Sequence, residues 1–465
     1  MSSSRSWLAA LLLLSIAGCH SGGAINPGSG GSGGTGGGAG AGGGVGGTGT
    51  STDLSAGGGM VGGDLSGGGP GVIDLGSTGN GTGAPQLSMF DSNCLSVPDP
   101  DVAASEALVG TAIQWNAYFF KKDGTPDHTY TWTALQGSLI SDTHIVYDKS
   151  SKRWFITTIV DLGNNNYGVQ VMVSSDATAS KWATSIPATM TGLIDNPEPT
   201  VTSDKLVLVF HGNCVWAVDK PTLYAGNAAV VQPSSCTLQS DDNVVAVKYG
   251  GDPPSTGYAA TMIDSTHLSW ISVDGTQAAN NVKVVQHSIT VPNVDEVDIF
   301  GGVTQNGMDI EAGKVKAMWQ KDHLVWAQTV KCATGACERI FDINTATNTA
   351  TSHDFSLANT QLWFGVPGLD RFGNTWVVMA EAAPNGNVGL AFAGIYASGQ
   401  TYDPKIIVPG QTVLSGGNRF GDYFSAAQDP VDGSTWLIGQ YAGMDGSPLN
   451  TENSAGCKVV HVTPQ

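Results

Sequence analysis

Glycine is spread so unevenly that the chain divides in two before any motif is considered. Residues 20–84 hold 30 of the 64 glycines, only three charges (Asp53, Asp64 and Asp74) and no aromatic residue. Glycine loses more backbone freedom on ordering than any other residue, and this stretch has no apolar surface to offset that loss. It is expected to stay disordered and to act as a tether. Whatever core exists must come from residues 85–465, which carry 11 of the 12 tryptophans and six of the seven cysteines. No second linker interrupts those 381 residues, so one large domain is expected.

That domain reads as all-β. Short runs such as Trp154–Val160, Val169–Val173, Leu206–Phe210, Val315–Trp319 and Thr375–Met379 are rich in β-branched and aromatic residues. Gly, Asn, Asp and Pro bound them, and no long run shows a helical period. A weak repeat narrows the architecture. Tyr147–Phe155, Asp370–Val377 and Asp429–Leu437 each place an aspartate and a polar turn before an aromatic strand start. The last two share Gly-x-Thr-Trp, and their aspartates lie 59 residues apart. Each is expected to be a hairpin in which Asp binds turn amides, Gly takes a positive φ and Trp anchors the next strand. A period of about 50–60 residues suits a four-stranded propeller blade, which divides the domain into roughly seven.

These turns resemble the Asp-box of sialidase-like propellers, although the spacing from Asp to Gly differs: Asp370 is three residues before Gly373 and Asp432 one before Gly433. The wider layout resembles a family of uncharacterised exported bacterial propellers. The matching pieces are Asp99–Ala103, His144–Asp148 with Arg153 and Trp154, Asp195–Pro199, Val215–Asp219, and Asn418–Tyr423. The resemblance covers most of 95–445 and implies fold far more than function, since one fold hosts many activities.

The N-terminus carries an export signal. Arg5 precedes the apolar run Leu8–Leu14, which is too short to span a membrane, and small residues follow it. Ser15–Cys19 resembles the bacterial lipobox, which implies cleavage after residue 18 and diacylglycerol with palmitate on Cys19. Residues 1–18 are then signal peptide, 19–84 lipidated tether and 85–465 propeller. A flexible leash of that length has a root-mean-square reach of ~45 Å. By resemblance to enterobacterial sorting, His20 rather than Asp after the lipid site favours the outer over the inner membrane.

Removing Cys19 leaves Cys94, Cys214, Cys236, Cys332, Cys337 and Cys457, an even number bound for an oxidising compartment, so disulfides are expected. Spacing favours Cys332–Cys337 across a turn, Cys214–Cys236 across a loop, and Cys94–Cys457 closing the ends of the domain. The formal charge of −19 disfavours nucleic acid as a partner and keeps an exported protein soluble. A monomer is expected. No cofactor is indicated, although clustered carboxylates could hold Ca²⁺.

Chemistry is harder to find. The domain has four arginines, Arg153, Arg339, Arg371 and Arg419, and a sialidase-like site would need several to converge on a substrate carboxylate. Carboxylate pairs at glycosidase-like spacing are Asp195 with Glu198, Glu296 with Asp298, and Asp309 with Glu311. Arg419, Asp422 and Tyr423 could line a channel mouth, and Asp309 and Glu311 are further binding candidates. The eight histidines of the domain form no HExxH, and no Gly-x-Ser-x-Gly falls within it. The best sequence-level reading is a tethered propeller that binds a glycan, a peptide or an envelope protein. The alternatives are a sialidase-like glycoside hydrolase and a purely structural envelope part.

Overall fold

The computed structural model describes residues 71–74, 84–92 and 99–463, except 141, 193, 211–213, 226–232, 236–237, 239–243, 277, 296–315, 334, 385, 412–419, 421–423 and 444–454. These residues form a seven-bladed β-propeller with one short helix, Lys220–Tyr224. The blades are numbered in chain order. Their innermost strands are Asp101–Ala104, His144–Asp148, Glu198–Val201, Val245–Tyr249, Ala317–Gln320, Gln361–Leu369 and Ser425–Gln428. Each packs on the next, and the seventh packs on the first, which closes the ring. Blades 4 and 5 are also hydrogen-bonded into one eight-stranded sheet, because their inner strands pair in parallel from Val247 opposite Ala317.

A ring of this kind needs a closure. The strand Gln86–Ser92 pairs antiparallel with the C-terminal strand Ala455–Thr463 and so becomes the fourth strand of blade 7. Gly71–Asp74, within the stretch read as tether, adds outside it as a fifth strand. The sheet structure thus begins ahead of residue 85.

The apolar core lies between blades rather than within one sheet. Separate clusters join blades 1 and 2, 2 and 3, 3 and 4, 4 to 6, 6 and 7, and 7 and 1. Both faces of each inner blade region are covered, which explains the near-continuous apolar runs of Leu206–Phe210 and Thr375–Met379. Five tryptophans, Trp154, Trp326, Trp363, Trp376 and Trp436, are completely buried.

The repeated turns behave as the sequence suggests. Asp370 accepts the backbone N–H groups of Phe372 (2.8 Å) and Asn374 (3.0 Å) and the indole N–H of Trp376 (2.9 Å). Asp429 likewise takes the amide of Val431 and the indole of Trp436, each at 2.9 Å. Gly373 and Gly433 have φ of 85° and 68°, where a Cβ would be strained. The third copy departs: Asp148 binds its turn, but the indole of Trp154 donates to Ala177 O instead. In blades 1 and 3 the hydroxyls of Ser105 and Thr202 accept the corresponding amides, so those copies are invisible to a search for aspartate.

Cys332 and Cys337 are bonded across their hairpin, with Cα atoms 5.9 Å apart. Cys214 and Cys457 each belong to a further disulfide, and Cys94 and Cys236 lie outside the described residues. Cys457 stands opposite Ser92 in the closing strand pair, two positions from Cys94 in sequence.

Candidate functional site

Two places in the ring concentrate polar groups: the channel end where the inner strands begin, and a cleft between blades 5 and 6 where they end.

At the first end, several inner strands begin with a polar residue where their pattern is otherwise apolar: Asp101, His144, Glu198 and Ser425. Lys316 enters just before the fifth strand, and Lys248 comes from the fourth. All are buried or nearly so. Asp101 pairs with Lys248 and accepts from the Ile145 amide at 3.1 Å. Glu198 pairs with Lys316 at 2.7 Å and accepts from the Ala246 amide at 2.7 Å and the Asn196 side-chain amide at 2.8 Å. His144 joins the two halves. Its Nε2–H donates to Asn196 Oδ1 (2.8 Å), because the amide nitrogen of Asn196 is already committed to Glu198, and its Nδ1 accepts a hydrogen bond from Lys316 Nζ (3.0 Å).

The electrostatics follow from this geometry. Burial alone would raise Asp101, but Lys248, His144 and Lys316 hold it well below the usual carboxylate range. Glu198 is lowered in the same way, chiefly by Lys316 against its burial. Burial and the Lys316 charge depress His144, which keeps the ring neutral. Two carboxylates thus face two ammonium groups around an uncharged imidazole whose lone pair is occupied. This arrangement bolts six blades together.

The cleft is built from one face of blade 5. Alternation places His323 and Val325, Ile340 and Asp342, and Thr351 and His353 on the same side of its three outer strands. Register then aligns Val325, Asp342 and Thr351 in one row and Ile340 with His353 in the next. His323 Nδ1 lies 3.0 Å from Asp342 Oδ1, and both side chains are exposed. Blade 6 supplies the opposite wall through Leu369, Phe372, Thr375 and Tyr396. The cleft holds about 500 Å³, within the range of ligand pockets, whereas the cavity at the exit mouth of the channel holds about 70 Å³.

Most residues singled out from sequence are elsewhere. Cys19, Asp309, Glu311, Arg419, Asp422, Tyr423, Glu296 and Asp298 lie outside the described residues. Glu198 is an ion-paired member of the channel network. The three described arginines do not converge. Arg153 donates to Ser174 O and lies over Tyr224, Arg339 forks onto Asp354, and Arg371 stacks on Phe372. Among the described residues one group of possible metal ligands comes together, Cys332, Cys337 and Asp354, but the two sulfurs are bonded to each other and offer no thiolate. The Ca²⁺ expectation therefore gains no site among these residues. The cleft histidines were passed over in the sequence because no motif links residues 323, 342 and 353; only strand register does.

No family model matches the chain, and no curated protein matches it. A solved structure of a protein from Lactobacillus plantarum, a structural genomics target, is similar at 12% identity, with 73% of this chain and 95% of that chain covered and a TM-score of 0.39. A likeness at that level carries no argument about activity. The propeller assignment rests on the closed ring of seven blades.

Proposed function

We propose that the protein is a lipid-anchored propeller of the cell envelope that binds a glycan or peptide in the blade 5–6 cleft without turning it over. The observation that carries this reading is the cleft: it is large enough for a ligand and lined by two imidazoles, a carboxylate, hydroxyls and exposed aromatic surface. Binding is favoured over hydrolysis because the described arginines each have their own structural partner in separate blades, and Glu198 is committed to Lys316. The lipobox at Cys19 and the glycine-rich leash support the anchor, with the outer membrane favoured by His20.

Two experiments test the reading. The whole protein is screened against glycan and peptide arrays beside a His323→Ala/Phe372→Ala variant, and binding is expected to fall in the variant. A released-sugar assay on the same glycans is expected to stay flat. Turnover that disappears on mutating Glu311 or Asp422 overturns the non-catalytic reading. For the anchor, Cys19→Ser is expected to abolish palmitate labelling; unchanged labelling removes it.

A further inference from the structure

We infer that the blade 5–6 cleft is one half of a longer groove that reads a neutral oligosaccharide, with a first sugar in the cleft and the next crossing to the channel mouth. This rests on the cleft being the ligand site. The two cavities share a partition made by one side chain. Gln428 lines the channel mouth, and its amide nitrogen donates to Gln320 Oε1 (3.3 Å) and Leu369 O (2.9 Å), both of which line the cleft. Its carbonyl accepts the Gly251 amide at 2.6 Å. A single amide therefore stands where a chain leaving the cleft would pass toward the channel, with its polar plane fixed by blades 4, 5 and 6.

Three observations select the class of chain. The cleft floor is a sheet face of three strands paired with each other, so across that face side chains rather than backbone groups do the reading. The lining charges, Lys321 and Asp342, are of opposite sign, so the lining offers no surplus of positive charge to a sugar carboxylate. Finally, Phe372 is 55% exposed yet held, since its amide donates to Asp370 (2.8 Å) and its ring carries Arg371. An exposed ring fixed in advance stacks on the C–H face of a pyranose with little loss of freedom. Beside it, imidazole, carboxylate and hydroxyl groups match ring hydroxyls that both donate and accept.

The test uses the whole protein and neutral gluco-, manno- and N-acetylglucosamine oligomers of one to six units, with oligogalacturonates and extended peptides as other arms. At least one neutral series is expected to gain about tenfold in affinity from one unit to two or three and then to level off. Phe372→Ala should weaken every length about tenfold, whereas Gln428→Ala should weaken only the longer ones. Gln320→Ala, which removes a single bond from the partition, should act in the same direction as Gln428→Ala, and thermal melting of both variants reports whether the ring stays intact. Equal affinity at all lengths with both glutamine variants silent overturns the groove and leaves the cleft standing. Phe372→Ala silent on every ligand removes the cleft as well. Binding confined to oligogalacturonates or to peptides, or no neutral series bound, overturns the inference.

Discussion

Glu338 offers the sharpest test of the packing between blades 5 and 6. Its carboxyl is fully buried, accepts from the Thr329 hydroxyl at 3.1 Å and has no cation beside it among the described residues. It presses on Gly365 so closely that a Cβ there would lie 2.2 Å from its Cγ. Burial pushes it up to about 8. The unfolded chain ionises near pH 4.5, so the native state binds the extra proton between there and about pH 8, and stability falls as pH rises through that window. The full penalty is about 5 kcal/mol, of which about 2 kcal/mol is lost between roughly pH 6.5 and 8.5. The upper half of the window is the informative one. His144, His287 and His461 are all depressed by burial, so their contribution to stability rises with pH until the unfolded imidazoles lose their protons about one unit above 6.5, and it is the same in wild type and variant. Urea unfolding of Glu338→Gln across about pH 6.5–8.5 is therefore expected to be flatter than wild type by about 2 kcal/mol, whatever its absolute stability. Glu381, raised to about 7 by burial, accounts for a smaller residual slope. An unchanged slope in Glu338→Gln would show that this carboxyl is hydrated or paired in solution, and the reasoning would fail.

Three further outcomes follow from named contacts. Asp370→Ala removes the acceptor of two turn amides and a buried indole, and urea unfolding is expected to show a loss of about 3 kcal/mol, with Asp429→Ala similar. Lys316→Met strands Glu198 without its cation and is expected to cost about 3–5 kcal/mol, while Lys316→Met with Glu198→Gln should cost much less than the two single changes combined. The Cys332–Cys337 disulfide closes only a short loop, so Cys332→Ser/Cys337→Ser should lose no more than about 2 kcal/mol and leave ligand affinity unchanged.

The fold was legible because propeller blades repeat local chemistry. The Asp370 and Asp429 turns, the tryptophans behind them and the period-two strands are short-range features, and a count of about seven blades follows from their spacing. The copies at Ser105 and Thr202 were missed, because a hydroxyl can accept the same amide bond as a carboxylate. The quoted pieces Asp99–Ala103, His144–Asp148 and Asp195–Pro199 turned out to carry the channel ions, although nothing in a single strand announces that Asp101, His144 and Glu198 meet.

The amino-acid sequence by itself determined the division into glycine-rich leash and core-forming domain, the all-β class and the turn chemistry, because entropy, alternation and hydrogen bonding to near neighbours are all settled within a few residues. Only the tertiary structure decided which polar residues share a site. His323, Asp342 and His353 become neighbours through register, Gln320 and Gln428 through ring closure, and Asp101 and Lys248 across 147 positions. Contacts made across a closed ring depend on where every blade ends, and that sum over the whole chain is written in no local stretch of it.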